Sequence, residues 1–147
     1  MKRLLPPVLV LICIVLMIAL RIVWPIAVIA PPPFNLLGLV LIVAGAALGA
    51  SGSRLFMRVK TNLNTFKEPG KFVTEGPFKY TRNPIYLSMA VTLAGFWILF
   101  GVLSPVLCVL LFIVVANQWY IPYEEKLLAE KFGSEYASYK TRVRRWI

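Results

Sequence analysis

Two separated clusters in the second half of the chain contain residue types that chemistry needs. The first is Gly76-Pro77-Phe78-Lys79-Tyr80-Thr81-Arg82-Asn83-Pro84-Ile85-Tyr86; the second, after one apolar hairpin, is Glu124-Glu125 leading into Phe132-Gly133. A guanidinium, an amide, phenols and two carboxylates can together grip a polar ligand and hold or move a proton. Polar residues this dense beside long hydrophobic runs predict a reactive site at the edge of a bilayer, because a membrane anchor has no need of them. What is missing narrows the chemistry further. The chain has no histidine, and its 6 acidic residues are all glutamate. His-based triads, H-E-x-x-H zinc sites and imidazole general bases are therefore excluded. Cys13 and Cys108 lie inside apolar runs without CxxC spacing, so they read as packing residues and no metal site is expected.

The elements that must position these clusters are membrane helices. With 147 residues and 59% hydrophobic content, the apolar runs are too long and continuous for a soluble core of this size. Spans are predicted at about 4–20, 34–50, 85–103 and 106–120, joined by a connection at 51–84 and followed by a tail at 121–147. The expected fold is all-α: a polytopic integral membrane protein, one domain over 1–147, with four transmembrane helices and a cytoplasmic C-terminal helical segment. Lys2 and Arg3 precede the first run as in a secretory signal, but the run is long and ends at Leu20-Arg21 without a small-x-small cleavage site, so a retained helix is expected. Pro31-Pro32-Pro33 would end any helix through Trp24 to Ala30.

A net charge of +10 invites a nucleic-acid reading, but the placement of the cations argues against it. Of the 16 Lys and Arg residues, all except Arg21 flank the spans on one side if four helices cross. The positive-inside rule then places both termini and the central connection in the cytoplasm. The basic tail Lys140 to Arg145 is expected to attract anionic headgroups.

Gly45-Ala46-Ala47-Leu48-Gly49 forms a GxxxG ridge suited to close helix packing, within the chain rather than between chains. The connection should hold one short helical stretch near Arg54 to Asn62. Only Ser104-Pro105 interrupts the last two spans, so a tight hairpin should bring Tyr86 and Tyr120 to the same membrane face. If the last span continues past Pro122 as a kinked helix, Asn117, Tyr120 and Glu124 share a face and point together into a cavity; the simpler alternative pairs Glu124 and Glu125 with Lys126 or Arg82. Gly133 is a plausible helix stop. Leu128, Phe132, Tyr136, Tyr139 and Val143 form an apolar stripe that either lies along the membrane surface or docks the tail on the bundle.

The pattern Gly76-Pro77-Phe78-Lys79-Tyr80-x-Arg82-Asn83-Pro84-x-Tyr86, followed by Glu124-Glu125 and Phe132-Gly133-x-x-Tyr136-x-x-Tyr139, resembles the isoprenylcysteine carboxyl methyltransferase and phospholipid methyltransferase superfamily of integral membrane enzymes. The resemblance runs from near Gly70 to Val143. It implies an S-adenosylmethionine-dependent methyltransferase whose cofactor lies at the cytoplasmic face. By position in the motif, Gly70, Lys71, Phe72, Val73, Phe78, Asn83, Pro84, Ile85, Tyr86, Glu124 and Glu125 would contact the cofactor, with Arg82, Tyr86 and Glu124 as the catalytic set. Asn83 stands where the family usually has a histidine, so an amide replaces an imidazole.

The residue chemistry agrees with that expectation. An aromatic face at Phe78, Tyr86 or Tyr120 can stack on adenine or face a sulfonium. Glu124 or Glu125 can accept from ribose hydroxyls or the ammonium, and Arg82 can pair with a carboxylate or an anionic substrate group. The expected partners are the bilayer and a lipid-like acceptor, either a prenylated thiol carboxylate or a phospholipid headgroup, with no nucleic acid and no metal. Two alternatives stand beside this reading: an NADPH-dependent membrane reductase of related fold, and a non-catalytic membrane subunit.

Overall fold

The computed structural model describes residues 4–58 and 72–147. These residues form five helices: α1 Pro6–Val23, α2 Leu37–Arg58, α3 Pro84–Phe100, α4 Val106–Val115 and α5 Ile121–Arg142. Short 3-10 turns at Phe34–Leu36 and Gly76–Lys79 precede α2 and α3, and a π turn at Ala116–Tyr120 joins α4 to α5. Among the described residues the one β-type pairing is an isolated bridge between Val28 and Val102. The fold is all-helical. Three helical stretches are long and apolar enough to cross a membrane, namely Pro6–Val23, Phe34–Arg58 and Val106–Arg142, and the shorter apolar α3 brings the candidates to four.

Prolines set several boundaries. Pro6 stands in the first turn of α1 and Pro84 in that of α3, where a missing amide donor costs nothing and a fixed φ favours the helix. Trp24, held out of the α region by the following Pro25, ends α1 (φ −143°, ψ 63°). No helix runs through Trp24 to Ala30 for the proline run to end. Gly101 ends α3 in the left-handed region at φ 74°.

The lone helical stretch anticipated near Arg54 to Asn62 is instead the end of α2, which runs unbroken to Arg58; residues 59 to 62 lie outside the described residues. Gly133 interrupts α5 (φ 45°, ψ −115°) without ending it, because the chain resumes helical geometry and reaches Arg142.

α3 is the hub of the bundle and packs on α1, α2 and α4. Its contact with α2 is the closest, because small residues face each other. A Cβ on Gly45 would overlap Thr92 Oγ1 and the Ser88 carbonyl, and one on Gly95 would fall 2.7 Å from the Gly38 carbonyl. The GxxxG ridge is thus used inside the chain. Leu9, Cys13 and Met17 of α1 meet Tyr86, Ala90 and Leu93 of α3 and Cys108, Val109 and Phe112 of α4 in one core. Cys13 and Cys108 are free, buried thiols, as expected of packing residues. The other faces of α1 and α2 expose Leu11, Val15, Val40 and Val43, as suits helices solvated by lipid.

One end of this bundle is sealed by backbone. Residues 27–30 cross the α3–α4 turn, where Ile29 N donates to Gly101 O (2.9 Å) and Leu103 N to Ala27 O (2.8 Å). Trp97 Nε1 donates to Val102 O (3.1 Å) and Asn35 Nδ2 to Leu99 O (3.2 Å). Arg21, at this same end, lies over the Phe100 ring at 5.6 Å.

Candidate functional site

The opposite end is built from the first turn of α3, the start of α5 and the last residues of the chain. Gly76–Lys79 forms a tight turn, after which Thr81 Oγ1 accepts from the Asn83 backbone N–H (3.1 Å) and shapes the entry to α3. Helical geometry from Pro84 onward then aims Tyr86 inward, where it is 4% exposed.

The partner carboxylates arrive on α5. Pro122 has no N–H to give the Gln118 carbonyl, and the π turn at Ala116–Tyr120 absorbs that defect without breaking the rod. Glu124 then meets α3: Tyr86 Oη donates to Glu124 Oε1 at 2.8 Å. The Tyr86 and Tyr120 rings lie nearly parallel, 6.1 Å apart with 17° between planes. Glu125 faces two cations, with Arg82 Nη2 at 3.4 Å and Arg145 Nη2 at 2.6 Å. Residues near 83 and near 124 therefore share one end of the bundle.

Of the three residues expected to share a face, Tyr120 and Glu124 both meet Tyr86, one through its ring and the other through its hydroxyl, while Asn117 bonds Trp146. Asn117 Oδ1 accepts from Trp146 Nε1 (3.0 Å), Tyr120 Oη donates to the Leu4 carbonyl (2.9 Å), and Glu124 accepts from Tyr86. Of the alternative pairings, Glu125 with Arg82 forms, while Lys126 pairs with Glu130 (3.8 Å).

The other predicted site residues fall in three places. Phe72 and Phe78 belong to an aromatic layer under the ionic cluster. Phe72 stacks on Phe132 (5.3 Å) and meets Tyr136 and Tyr139 edge-on, while Phe78 stacks on Phe56 (5.1 Å) and accepts from Tyr139 Oη through its carbonyl (2.6 Å). Val73 is buried near the start of this stretch. The stripe on α5 thus docks onto the protein rather than lying on a surface. Pro84 and Ile85 face α2 at Gly52, on a different side of α3 from Tyr86. Asn83 Nδ2 donates to the Arg145 carbonyl at 2.9 Å. Gly70 and Lys71 lie outside the described residues.

Burial is the main force on the phenols of the aromatic layer. It pushes Tyr136 and Tyr139 up to about 12, against the pull of Arg82, so both remain neutral at ordinary pH.

Sequence reasoning missed Thr81, Arg145 and Trp146. Arg145 belongs to the basic tail expected to attract anionic headgroups, yet it forms a two-point contact to Glu125, Nε to Oε1 at 3.2 Å and Nη2 to Oε2 at 2.6 Å. Tyr136 and Tyr139 were visible as motif residues, but only their burial shows that they brace the site. The assembled end offers parallel aromatic faces, two carboxylates and a buried guanidinium within a few residues of one another, a set suited to a ligand carrying both charges and a flat ring.

Comparison with known proteins bears on this arrangement. An uncharacterized protein of Haemophilus influenzae is 43% identical over 63 residues, which is 43% of this chain and the whole of that protein. No solved structure matches. The sequence profile of the family described as phospholipid methyltransferase matches residues 34–135, a stretch that includes both halves of the split signature and the helices that carry them. The chain therefore belongs to the phospholipid methyltransferase family, a family of membrane methyltransferases.

Proposed function

We propose that this protein transfers a methyl group from S-adenosylmethionine to a membrane-resident amphiphile, either a prenylated thiol carboxylate or a phospholipid headgroup, at the cytoplasmic edge of the bilayer. The observation that carries this reading is the 2.8 Å hydrogen bond from Tyr86 to Glu124, which joins the two halves of the signature in a chain of this family.

The residues fit such a cofactor. Arg82 Nε and Nη1 are buried and have no acceptor, so they are free to receive a carboxylate. The Glu124 carboxylate suits an ammonium or ribose hydroxyls, and the paired Tyr86 and Tyr120 rings suit adenine or a sulfonium. When bound, S-adenosylmethionine supplies a methyl carbon on a positive sulfur, which an acceptor's lone pair can displace.

The protein's task is alignment and exclusion of water. The Tyr86 hydrogen bond fixes the Glu124 rotamer, and Glu125 is fixed between two arginines. Phe72, Phe78, Tyr136 and Tyr139 keep water from below. A carboxylate acceptor needs no base. An amine acceptor must first lose a proton, and in a chain without histidine Glu124 is the group placed to take it.

The test is calorimetric titration of detergent-purified protein with S-adenosylhomocysteine and with NADPH. Binding of the first alone is expected; binding of NADPH alone would favour the reductase, and binding of neither a non-catalytic subunit. Incubation with labelled methyl donor and a total lipid extract then identifies the acceptor.

A further inference from the structure

Beyond α5 the chain turns extended at Val143 (φ −124°, ψ 130°) and runs back over the entry to α3. Its own backbone ties it there. The Arg82 N–H donates to Arg144 O (3.0 Å), and Thr81 Oγ1 (3.2 Å) and Asn83 Nδ2 (2.9 Å) both donate to Arg145 O. Trp146 anchors the end through Asn117. The side chain of Arg145 is thereby held over Glu125.

Glu125 is shared unequally. Arg145 makes the short two-point contact, and Arg82 is left with a single contact of 3.4 Å. Arg82 is nevertheless the more deeply buried of the two, 11% exposed against 36%. The Tyr136 hydroxyl lies against its guanidinium, yet Nε and Nη1 have no acceptor. A buried guanidinium whose donors are unmet is costly, and Arg145 draws Glu125 away from it in the shorter contact. Both features describe a place that lacks an anion.

We propose that the segment Arg144–Trp146 completes an oxyanion-binding site at Arg82, with Arg145 as a positioning residue. By drawing Glu125 to itself, Arg145 keeps Arg82 from being neutralised, and Nε and Nη1 of Arg82 receive a carboxylate or phosphate oxygen. This rests on the reading of this end of the bundle as the cofactor and acceptor site. The anion comes either from the carboxylate of the cofactor or from the phosphate of a lipid headgroup.

The experiment compares wild type, Arg145→Ala and Arg145→Lys as full-length protein in detergent. The segment is held by carbonyl groups and Trp146, so these changes leave it docked. If the cofactor supplies the anion, Arg145→Ala weakens S-adenosylhomocysteine binding about tenfold, as for loss of one charge-assisted hydrogen bond, and Arg145→Lys recovers part of it. Affinity for the decarboxylated analogue stays the same in all three. If a headgroup supplies it, S-adenosylhomocysteine affinity holds and KM for a phospholipid acceptor rises in Arg145→Ala with kcat unchanged.

Inorganic phosphate at constant ionic strength is the probe that does not depend on the methyltransferase reading. It should raise the unfolding temperature of wild type more than that of Arg145→Ala even if no cofactor binds. Equal losses for S-adenosylhomocysteine and its decarboxylated analogue would overturn the proposal, as would a variant indistinguishable from wild type with all three probes.

Discussion

At one end of the bundle, residues 27–30 cross the α3–α4 turn, and the hydrogen bonds there terminate on main-chain carbonyls: Gly101, Ala27, Val102 and Leu99. At the other, bonds to main-chain carbonyls are joined by bonds between side chains, with Tyr86 to Glu124 and two arginines to one carboxylate. Main-chain pairing asks little of residue identity beyond the turn-forming Gly101. Charged side chains brought out of water are expensive, and a protein that needed only to close its second end had the cheaper method already in use at the first. The contrast separates a backbone-closed end from a charged one within one small bundle.

That contrast breaks first at Glu124. In Glu124→Ala, S-adenosylhomocysteine binding and methyl transfer should fall by about a hundredfold or more, in the range for truncating one partner of a desolvated charged pair across a bound interface, while the protein stays folded. Unchanged calorimetric affinity would make the charged end a structural feature only. Next is the helix contact on which both ends depend. Gly45→Leu forces a side chain into Thr92 and the Ser88 carbonyl and should cost about 2–3 kcal/mol, read as a lower unfolding midpoint.

Gly101→Ala sharpens the comparison at the main-chain end. At φ 74°, with a Cβ only 2.7 Å from the Ala30 carbonyl, it should lose about 1–2 kcal/mol of stability, with cofactor affinity in the surviving folded protein unaltered. The smallest effect is expected of Lys126→Ala. Its exposed pair with Glu130 contributes about 0.5 kcal/mol or less, so neither the unfolding midpoint nor the binding should move measurably.

The helical scaffold was readable where pattern and physics are local. Hydropathy located the apolar helices, small residues in α2 announced a close approach to a neighbour within the chain, and polar density marked the end where charged side chains gather. Three features were not readable. The extended path of Trp24 to Ala30 follows from Pro25 acting on its predecessor, a one-residue effect overshadowed by the louder run Pro31-Pro32-Pro33. The hydrogen-bond partners of Asn117, Tyr120 and Glu124 depend on a wide turn that has no hydrophobic period of its own. The return of Arg144 to Trp146 is made mainly through carbonyl groups, which every residue possesses, so a cluster of cations gave no hint that one of them is tethered.

The wide turn at Ala116–Tyr120 has a mechanical corollary. In an ordinary α-helix each residue advances the azimuth by about 100°, so removing a single residue from this turn would swing Glu124 and Glu125 about a quarter revolution or more away from α3, while leaving every side chain of α4 in its old bearing. The rod behaves as two shafts joined by a keyed coupling. Its lipid-exposed shaft can exchange apolar side chains freely, but not change length, without disturbing the phase of the carboxylates.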